Sequence, residues 1–466
     1  MKNLTLDCSV LEKIPKRFYS KVSSQPLENP RVVAINESLR DELFLDYSSV
    51  DDFVEFINSE FIAKGSVPYS LAYSGHQFGY FVPNLGDGRA LNLGKLDNYH
   101  LQLKGSGITS YSRMGDGRAI LSSSIREFLM SEAMYHLNIP TTRALAMITS
   151  DTAVYRDRSI EDGSIVLRAS SSWIRFGSFE FAYLGDNRET NLIALSDLVI
   201  EESYPHLVDT PNRYEQLYFE VVDKTVDMIA LWQSVGFMHG VMNTDNMSIE
   251  GLTIDYGPFA FMEKFDRKFV CNLSDYDGRY SFENQPFIAQ WNLLALAKVF
   301  APIADYDKLE KYANSFIGKF KIKYFSIMSQ KLGLQEEIEG DIKLISELAS
   351  AMESEEIDYS SFFYNLSIDN FDYRSPQILE WNRLYQERLK LETISQDIRL
   401  EKMKKINPKY ILRNYMLEDA IERARDGDYS LVEDLLYIAQ NPFDEHKKFE
   451  KYLKPSEMNI KCSCSS

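Results

Sequence analysis

Two acidic side chains and one amide dominate the chemistry that this sequence can offer. They stand in Gly236-Phe-Met-His239-Gly240-Val-Met-Asn243-Thr-Asp245-Asn246-Met247 and, nine residues beyond Asn246, in Asp255-Tyr-Gly257. Asn246 and Asp255 present hard oxygens, the donor type that Mg²⁺ or Mn²⁺ takes beside phosphate. Asp245, directly before Asn246, can accept a proton from a hydroxyl. The competing reading is an Asn/Asp turn after a helix, followed by a strand. His239 reads as a structural loop histidine, not as a catalyst or ligand.

A second constellation suits anions. Between residues 80 and 180, 11 Lys and Arg face 10 Asp and Glu, so this window carries +1 in a chain of −18, and the remainder carries −19. Nine of those 11 cations are Arg, whose planar fork grips oxyanions. A surface of solvated ion pairs would show the same statistic. Gly86-Asp87-Gly88-Arg89, followed by Gly94, would let backbone N–H groups approach a phosphate; a plain hairpin turn is the alternative. Gly115-Asp116-Gly117-Arg118 repeats the tetrapeptide, with Arg113 and Arg118 adding charge. Lys104 with Glu127 matches the strand-lysine and helix-glutamate pair by which protein kinases hold nucleotide phosphates. An exposed lysine and a glutamate in the first helical turn, favoured by the dipole, is the plain alternative. Arg168 and Arg175 can clamp a triphosphate bidentately, or pair with nearby Asp162 and Glu180.

These side chains need elements to carry them. His100-Leu-Gln-Leu-Lys104 alternates, with Leu101 and Leu103 on one face and Gln102 and Lys104 on the other, and predicts a strand. Residues 122–137 carry apolar side chains at helical spacing, with serines available to cap the start and Asn138-Ile-Pro140 to end it. Ser164–Arg168 predicts a second strand, and Pro83-Asn84 a turn. Residues 214–235 predict a long helix that stops at Gly236. Beyond about residue 285 the pattern is mostly helical, with 429–440 one such helix. Residues 1–69 and most of 300–400 carry no interpretable motif.

Composition narrows the class. Hydrophobic residues make up 44% and charged residues 26%, as in ordinary globular chains. The acidity argues against a dedicated nucleic-acid binder and against docking on anionic lipid. No apolar run reaches the ~18–20 residues of a membrane span, and the first residues lack the features of a secretory or transit peptide. A cytoplasmic location is the expectation. Cys8, Cys271, Cys462 and Cys464 are too few for a disulfide scaffold and lack a CxxC zinc spacing.

The ordered motifs resemble the selenoprotein O (SelO, YdiU) family. They are Gly75-His-Gln-Phe-Gly79, Gly86–Arg89, Leu101-Gln-Leu-Lys-Gly-Ser-Gly107, Tyr111–Arg118, Ser124-Ile-Arg-Glu-Phe-Leu129, Arg175-Phe-Gly-Ser-Phe-Glu180, His239–Ser248, Thr253–Pro258 and Asn407–Tyr415. The resemblance runs from about residue 70 to the end. It implies an α+β, protein-kinase-like two-lobed fold with N-terminal and helical C-terminal extensions. The expected units are 1–185, 186–320 and 321–466. It also implies AMP transfer from ATP to Ser, Thr or Tyr hydroxyls of proteins, with the nucleotide inverted relative to ordinary kinases. UMP transfer from UTP with Mn²⁺ is associated with some bacterial members.

Carried over by position, the resemblance makes Asp245 the base, and Asn246 and Asp255 the ligands of Mg²⁺ or Mn²⁺. Gly86, Gly88, Arg89, Lys104, Asp116, Gly117, Arg168, Arg175 and Asp255 become nucleotide-binding residues, with Glu127 the partner of Lys104. Ordinary kinase loops follow H-R-D-x-x-x-x-N, whereas here Asp245 and Asn246 are adjacent. The expected partners are ATP and acceptor proteins, with no nucleic acid and no membrane. A conventional kinase and a nucleotide-binding pseudokinase scaffold are the rival readings. Cys464 resembles the position where some members carry selenocysteine. A regulatory disulfide from Cys271 to Cys464, or to Cys462, is expected, with inert thiols the alternative.

Overall fold

The computed structural model describes residue 1 and residues 3–156, 159–456 and 460–461. Among these, an antiparallel sheet and many helices give a mixed α/β fold. The sheet comprises β1 (Tyr19–Lys21), β2 (Arg31–Ile35), β3 (Tyr69–Gln77), β4 (Tyr80–Gly86), β5 (Ala90–Leu96), β6 (Tyr99–Lys104), β7 (Ala119–Ile120), β8 (Arg143–Arg156) and β9 (Ser159–Ser170). Its order is β1-β3-β5-β6-β9-β8-β2, with β4 added to β3 and β7 to β9.

The period-two pattern sorts this sheet into a packing face and a chemical face. Leu101 and Leu103 of β6 and Ile165 and Leu167 of β9 bury against Leu39, Phe53 and Ile57 of the N-terminal segment. That segment, silent as sequence, thus supplies one layer of the core. Gln102, Lys104 and Arg168 point the other way, because each is one residue out of phase with those leucines. Register Gln102↔Arg168 sets the two polar side chains side by side.

The helix Leu121–His136 packs across from the chemical face, with Ile125, Phe128 and Leu129 buried among residues of the C-terminal helices. Two expectations are corrected here. Serines do not cap it: β7 pairs with β9 and runs directly into the helix, so Ile120 is the N-cap and no side chain caps it. Ser123 instead donates to the Ile120 carbonyl. With the helix starting at Leu121, Glu127 falls in the second turn, where the helix dipole has largely decayed.

Pro83-Asn84 is not a turn either. It lies within β4, an exposed edge strand where a missing N–H costs no ladder bond. The turn sits at Phe78-Gly79, both with positive φ, and makes β3 and β4 a hairpin.

The helix Arg213–Val235 ends as expected at Gly236, which adopts φ 72°. The chain then enters β10 (Phe237–Met238), paired with β11 (Ala260–Phe261). This small ribbon brackets the loop that carries Asp245 and Asp255. Helices follow from Gln285–Phe300 to Ser430–Gln440. Leu431, Val432 and Leu435 of the last one join the core around the helix of Glu127. No helix among the described residues is long and apolar enough to cross a membrane.

Candidate active site

The chemical face of the sheet meets the 239–259 loop at a cluster of charges. Lys104 Nζ lies 2.6 Å from Glu127 Oε2 and 3.8 Å from Asp255 Oδ1. Arg168 Nη1 donates to Glu127 Oε1 at 2.6 Å and lies 3.5 Å from Asp255 Oδ1, while its Nη2 donates to Gln102 Oε1. Arg175 Nη1 donates to Asp255 Oδ2 and to the Asp245 carbonyl, both at 2.7 Å. Three cations therefore converge on two carboxylates. Neither Arg168 nor Arg175 pairs with Asp162 or Glu180, which bond instead to Arg31 and to His76 and Thr244. Both guanidiniums are further held over aromatic rings, Arg168 at 4.7 Å from the centroid of Trp173 and Arg175 at 4.5 Å from that of Tyr73. Each keeps a buried Nε without a partner.

The electrostatics follow from this geometry. Burial alone would raise the carboxyls of Asp255 and Glu127. For Asp255, Arg175, Lys104 and Arg168 override it and hold the group well below the carboxylate range. For Glu127, Lys104 and Arg168 also prevail. Burial lowers Lys104, and Glu127 only partly restores it. Asp255 itself adopts φ 57°, a left-handed backbone that aspartate tolerates better than most residues.

Asp245 lives in a different environment. It occupies the 3₁₀ turn Thr244–Asn246 and is 6% exposed. The tip of the β3–β4 hairpin folds over it. Gln77 Nε2 donates to Asp245 Oδ2 at 3.1 Å, and the Oδ1 has no partner. Neighbouring backbone amides lock the tip down: His76 N–H donates to Thr244 Oγ1 and Phe78 N–H to Asn243 Oδ1. Gly75 is required here because a Cβ would collide with Asp245 Oδ1. Burial pushes the Asp245 carboxyl up to about 6, against the opposing pull of Gln77 and Arg175. Asn246 donates its amide N–H to the Val241 carbonyl at 3.1 Å, which leaves its Oδ1 as an open acceptor. His239 is structural, as expected: it stacks on Trp232 and bonds to the Ile254 carbonyl and the Val241 N–H.

A family model described as protein adenylyltransferase SelO matches residues 3–440. The chain belongs to this SelO family. It is 42% identical over 474 residues to the protein nucleotidyltransferase YdiU of Aliivibrio fischeri, which covers 97% of each chain. Against the YdiU of Vibrio cholerae the figures are 41% over 478 residues and 97% of each. Against that of Stutzerimonas stutzeri they are 42% over 469 residues and 96% of each. The family match reaches back to residue 3, beyond the expected start near residue 70, and ends at 440, short of the cysteine tail.

The other residues carried over as nucleotide-binding stand in the β4–β5 link and in the loop between β6 and β7. Gly86–Arg89 links β4 to β5, which do not pair with each other, so it is not a hairpin turn. It is a tight inter-loop seam: a Cβ at Gly86 would strike Tyr111 and Leu71, and one at Gly88 would crowd Tyr111. Arg89 is exposed. Asp116 pairs with Arg156 at 2.8 Å and accepts from the Arg118 N–H, and Gly117 packs on Gly107. Neither Arg89 nor Asp116 bonds to the Lys104–Asp255 cluster among the described residues.

Further side chains support this cluster without standing out in the sequence. Gln77, Tyr73 and Gln102 hold Asp245, Arg175 and Arg168, and Asp87 is buried against the Leu71 N–H and Asn92. Alternation with Lys104 was the available signal for Gln102, and the flanking Gly75 and Gly79 for Gln77. Cys271 is buried, its Sγ 2.6 Å from the Pro258 carbonyl oxygen. Cys462 and Cys464 lie outside the described residues.

Proposed function

We propose that this SelO-family chain transfers AMP from ATP to Ser, Thr or Tyr hydroxyls of acceptor proteins and releases pyrophosphate. The observation that carries the reading is the contrast between Asp255, kept ionised among Lys104, Arg168 and Arg175, and Asp245, whose buried Oδ1 is unpartnered and poised near neutrality. In this reading the acceptor oxygen attacks the α-phosphorus. The bond from that phosphorus to the pyrophosphate oxygen breaks, and Asp245 takes the hydroxyl proton. Lys104, Arg168 and Arg175 meet the charge that grows on the leaving pyrophosphate.

The donor set fits a divalent cation. Asn246 Oδ1 is open and Asp255 is ionised, two hard oxygens that leave room for phosphate oxygens. Mg²⁺ or Mn²⁺ there would neutralise charge at the phosphates. Gly86, Gly88, Arg89, Asp116 and Gly117 belong to the nucleotide grip in the same reading. So do a two-lobed kinase-like arrangement divided near residues 185 and 320, and a disulfide from Cys271 to Cys464 or Cys462. Nonreducing peptide mapping after mild oxidation tests the last; no tail-to-Cys271 crosslink would sink it.

ATP labelled at the α- or the γ-phosphate decides the main point. α-Label on protein supports AMP transfer, γ-label alone a conventional kinase, and neither a scaffold. The relatives' name, protein nucleotidyltransferase, leaves the base open, so UTP with Mn²⁺ is run in parallel.

A further inference from the structure

A cavity of about 540 Å³ lies beside the hairpin tip, walled by Phe81, Leu184, Trp291, Leu294, Ala295 and Val299. Its polar end is His76, whose ring lies 5.1 Å from Phe81 and edge-on to Trp291 at 5.3 Å. His76 and Gln77 are successive residues of β3, so their side chains take opposite faces: Gln77 meets Asp245 and His76 faces the cavity. The two are joined again below, because His76 Nδ1 lies 2.6 Å from Glu180 Oε1 and Thr244, next to Asp245, donates to Glu180 Oε2 at 2.6 Å.

The lining excludes a second triphosphate site. Apart from His76, it holds one cation, Lys298, against two carboxylates, Glu180 and Glu310. The volume suits one or two bulky side chains. Tyr80, Phe81, Phe287 and Trp291 are exposed around this hairpin and the helix Gln285–Phe300, an apolar concentration at the surface. Both lining carboxylates are engaged, Glu180 with His76 and Thr244 and Glu310 with the Tyr306 hydroxyl. Arg279 lies against Gly79 and 5.0 Å from the centroid of Trp291, and neither it nor Lys298 has a carboxylate within ion-pair distance among the described residues. In a chain of −18, two cations without an ion-pair partner among the described residues, beside an aromatic cavity, favour a partner that brings acid and apolar surface together. Asp245 is covered by one face of the same hairpin whose other face borders this cavity.

We propose that this cavity recognises the acceptor protein, taking a bulky apolar side chain near the acceptor hydroxyl while Arg279 and Lys298 meet an acidic residue beside it. This rests on the transferase reading above. The probe is a set of fluorescein-labelled 12-residue peptides with one Ser, Thr or Tyr. Each is flanked by Phe or Leu and by Asp or Glu, and is matched by versions carrying Ser for the apolar residue or Lys for the acid.

Fluorescence anisotropy without nucleotide measures binding. Label from α-labelled ATP with Mn²⁺ measures transfer. The wild type should bind the acidic-apolar peptides at least tenfold tighter than either control. Ala295→Trp, which fills the cavity, should erase that preference while ATP affinity stays within twofold. Lys298→Glu, an exposed change that spares the core, should favour the Lys versions by threefold or more. Equal binding of all peptides, or no change in both variants, overturns the proposal. Selective binding without any transfer keeps the pocket and removes the transferase reading. Transfer that ignores peptide composition does the reverse.

Discussion

Asp245 and Asp255 are the same residue in one loop, yet the two ends of that loop meet different parts of the molecule. The Asp255 end abuts the chemical face of the sheet, where Lys104, Arg168 and Arg175 outweigh burial. The Asp245 end lies beneath the hairpin tip, where a hydrogen bond from Gln77 and the charge of Arg175 do not. Paired carboxylates pushed apart in this way can divide the work: one stays charged to organise cations and phosphate, the other trades a proton. The difference comes from what each is packed against, since the side chains are chemically identical.

The comparison is broken most severely at Asp255. Asp255→Ala should lower α-label transfer by about 10³-fold or more. It should also destabilise the protein by about 3 kcal/mol, because Arg175 and Arg168 are left buried with less counter-charge. Thermal melts and label incorporation check both; retained activity would remove Asp255 from the site.

Asp245→Asn should lower transfer by about 10²–10³-fold with little change in ATP affinity. Its effect on stability has the opposite sign. A carboxyl held near pH 6 in the folded state, against about 4 when unfolded, favours folding while it is protonated. That contribution is lost as pH rises from about 4 through about 6. In chelator at pH 7.5, Asp245→Asn should therefore be more stable than the wild type by about 2–3 kcal/mol, and the gap should close below about pH 4. A denaturant series at both pH values measures it; a destabilised variant at pH 7.5 would contradict the assigned environment.

Two hairpin changes sharpen the contrast more gently. Gly75→Ala, which sets a methyl against Asp245 Oδ1, should cut kcat by about tenfold by shifting the carboxylate or lifting the tip. Gln77→Ala removes one hydrogen bond worth about 1 kcal/mol, so kcat should fall about fivefold. The ATP KM should stay unchanged in Gln77→Ala; an altered ATP KM would place Gln77 on the nucleotide instead.

Much of this centre was legible in advance. Period two on β6 correctly assigned Lys104 to the polar face, and Gly236 marked where the long helix had to stop. What escaped was determined by contacts across long stretches of chain. Gln77 lies 168 positions from Asp245, and the flanking Gly75 and Gly79 mark a tight turn without naming its distant partner. The serines do not cap the helix, because pairing of β7 with β9 carries the chain directly into it and overrides their capping preference. Pro83-Asn84 stays in a strand instead of turning, because an edge strand tolerates what a central strand does not.

The amino-acid sequence by itself determined the inventory: the two aspartates, the Asn246 amide, the arginines, and a motif order specific enough to indicate the SelO family. Types and spacings suffice for that because each motif is local. Only the tertiary structure decided which arginines face Asp255, that the hairpin seals Asp245, and that an aromatic cavity lies on the other side of His76. Charge interactions and burial depend on distance in space, and the chain reaches those distances only after the sheet, the loop and the C-terminal helices have packed together.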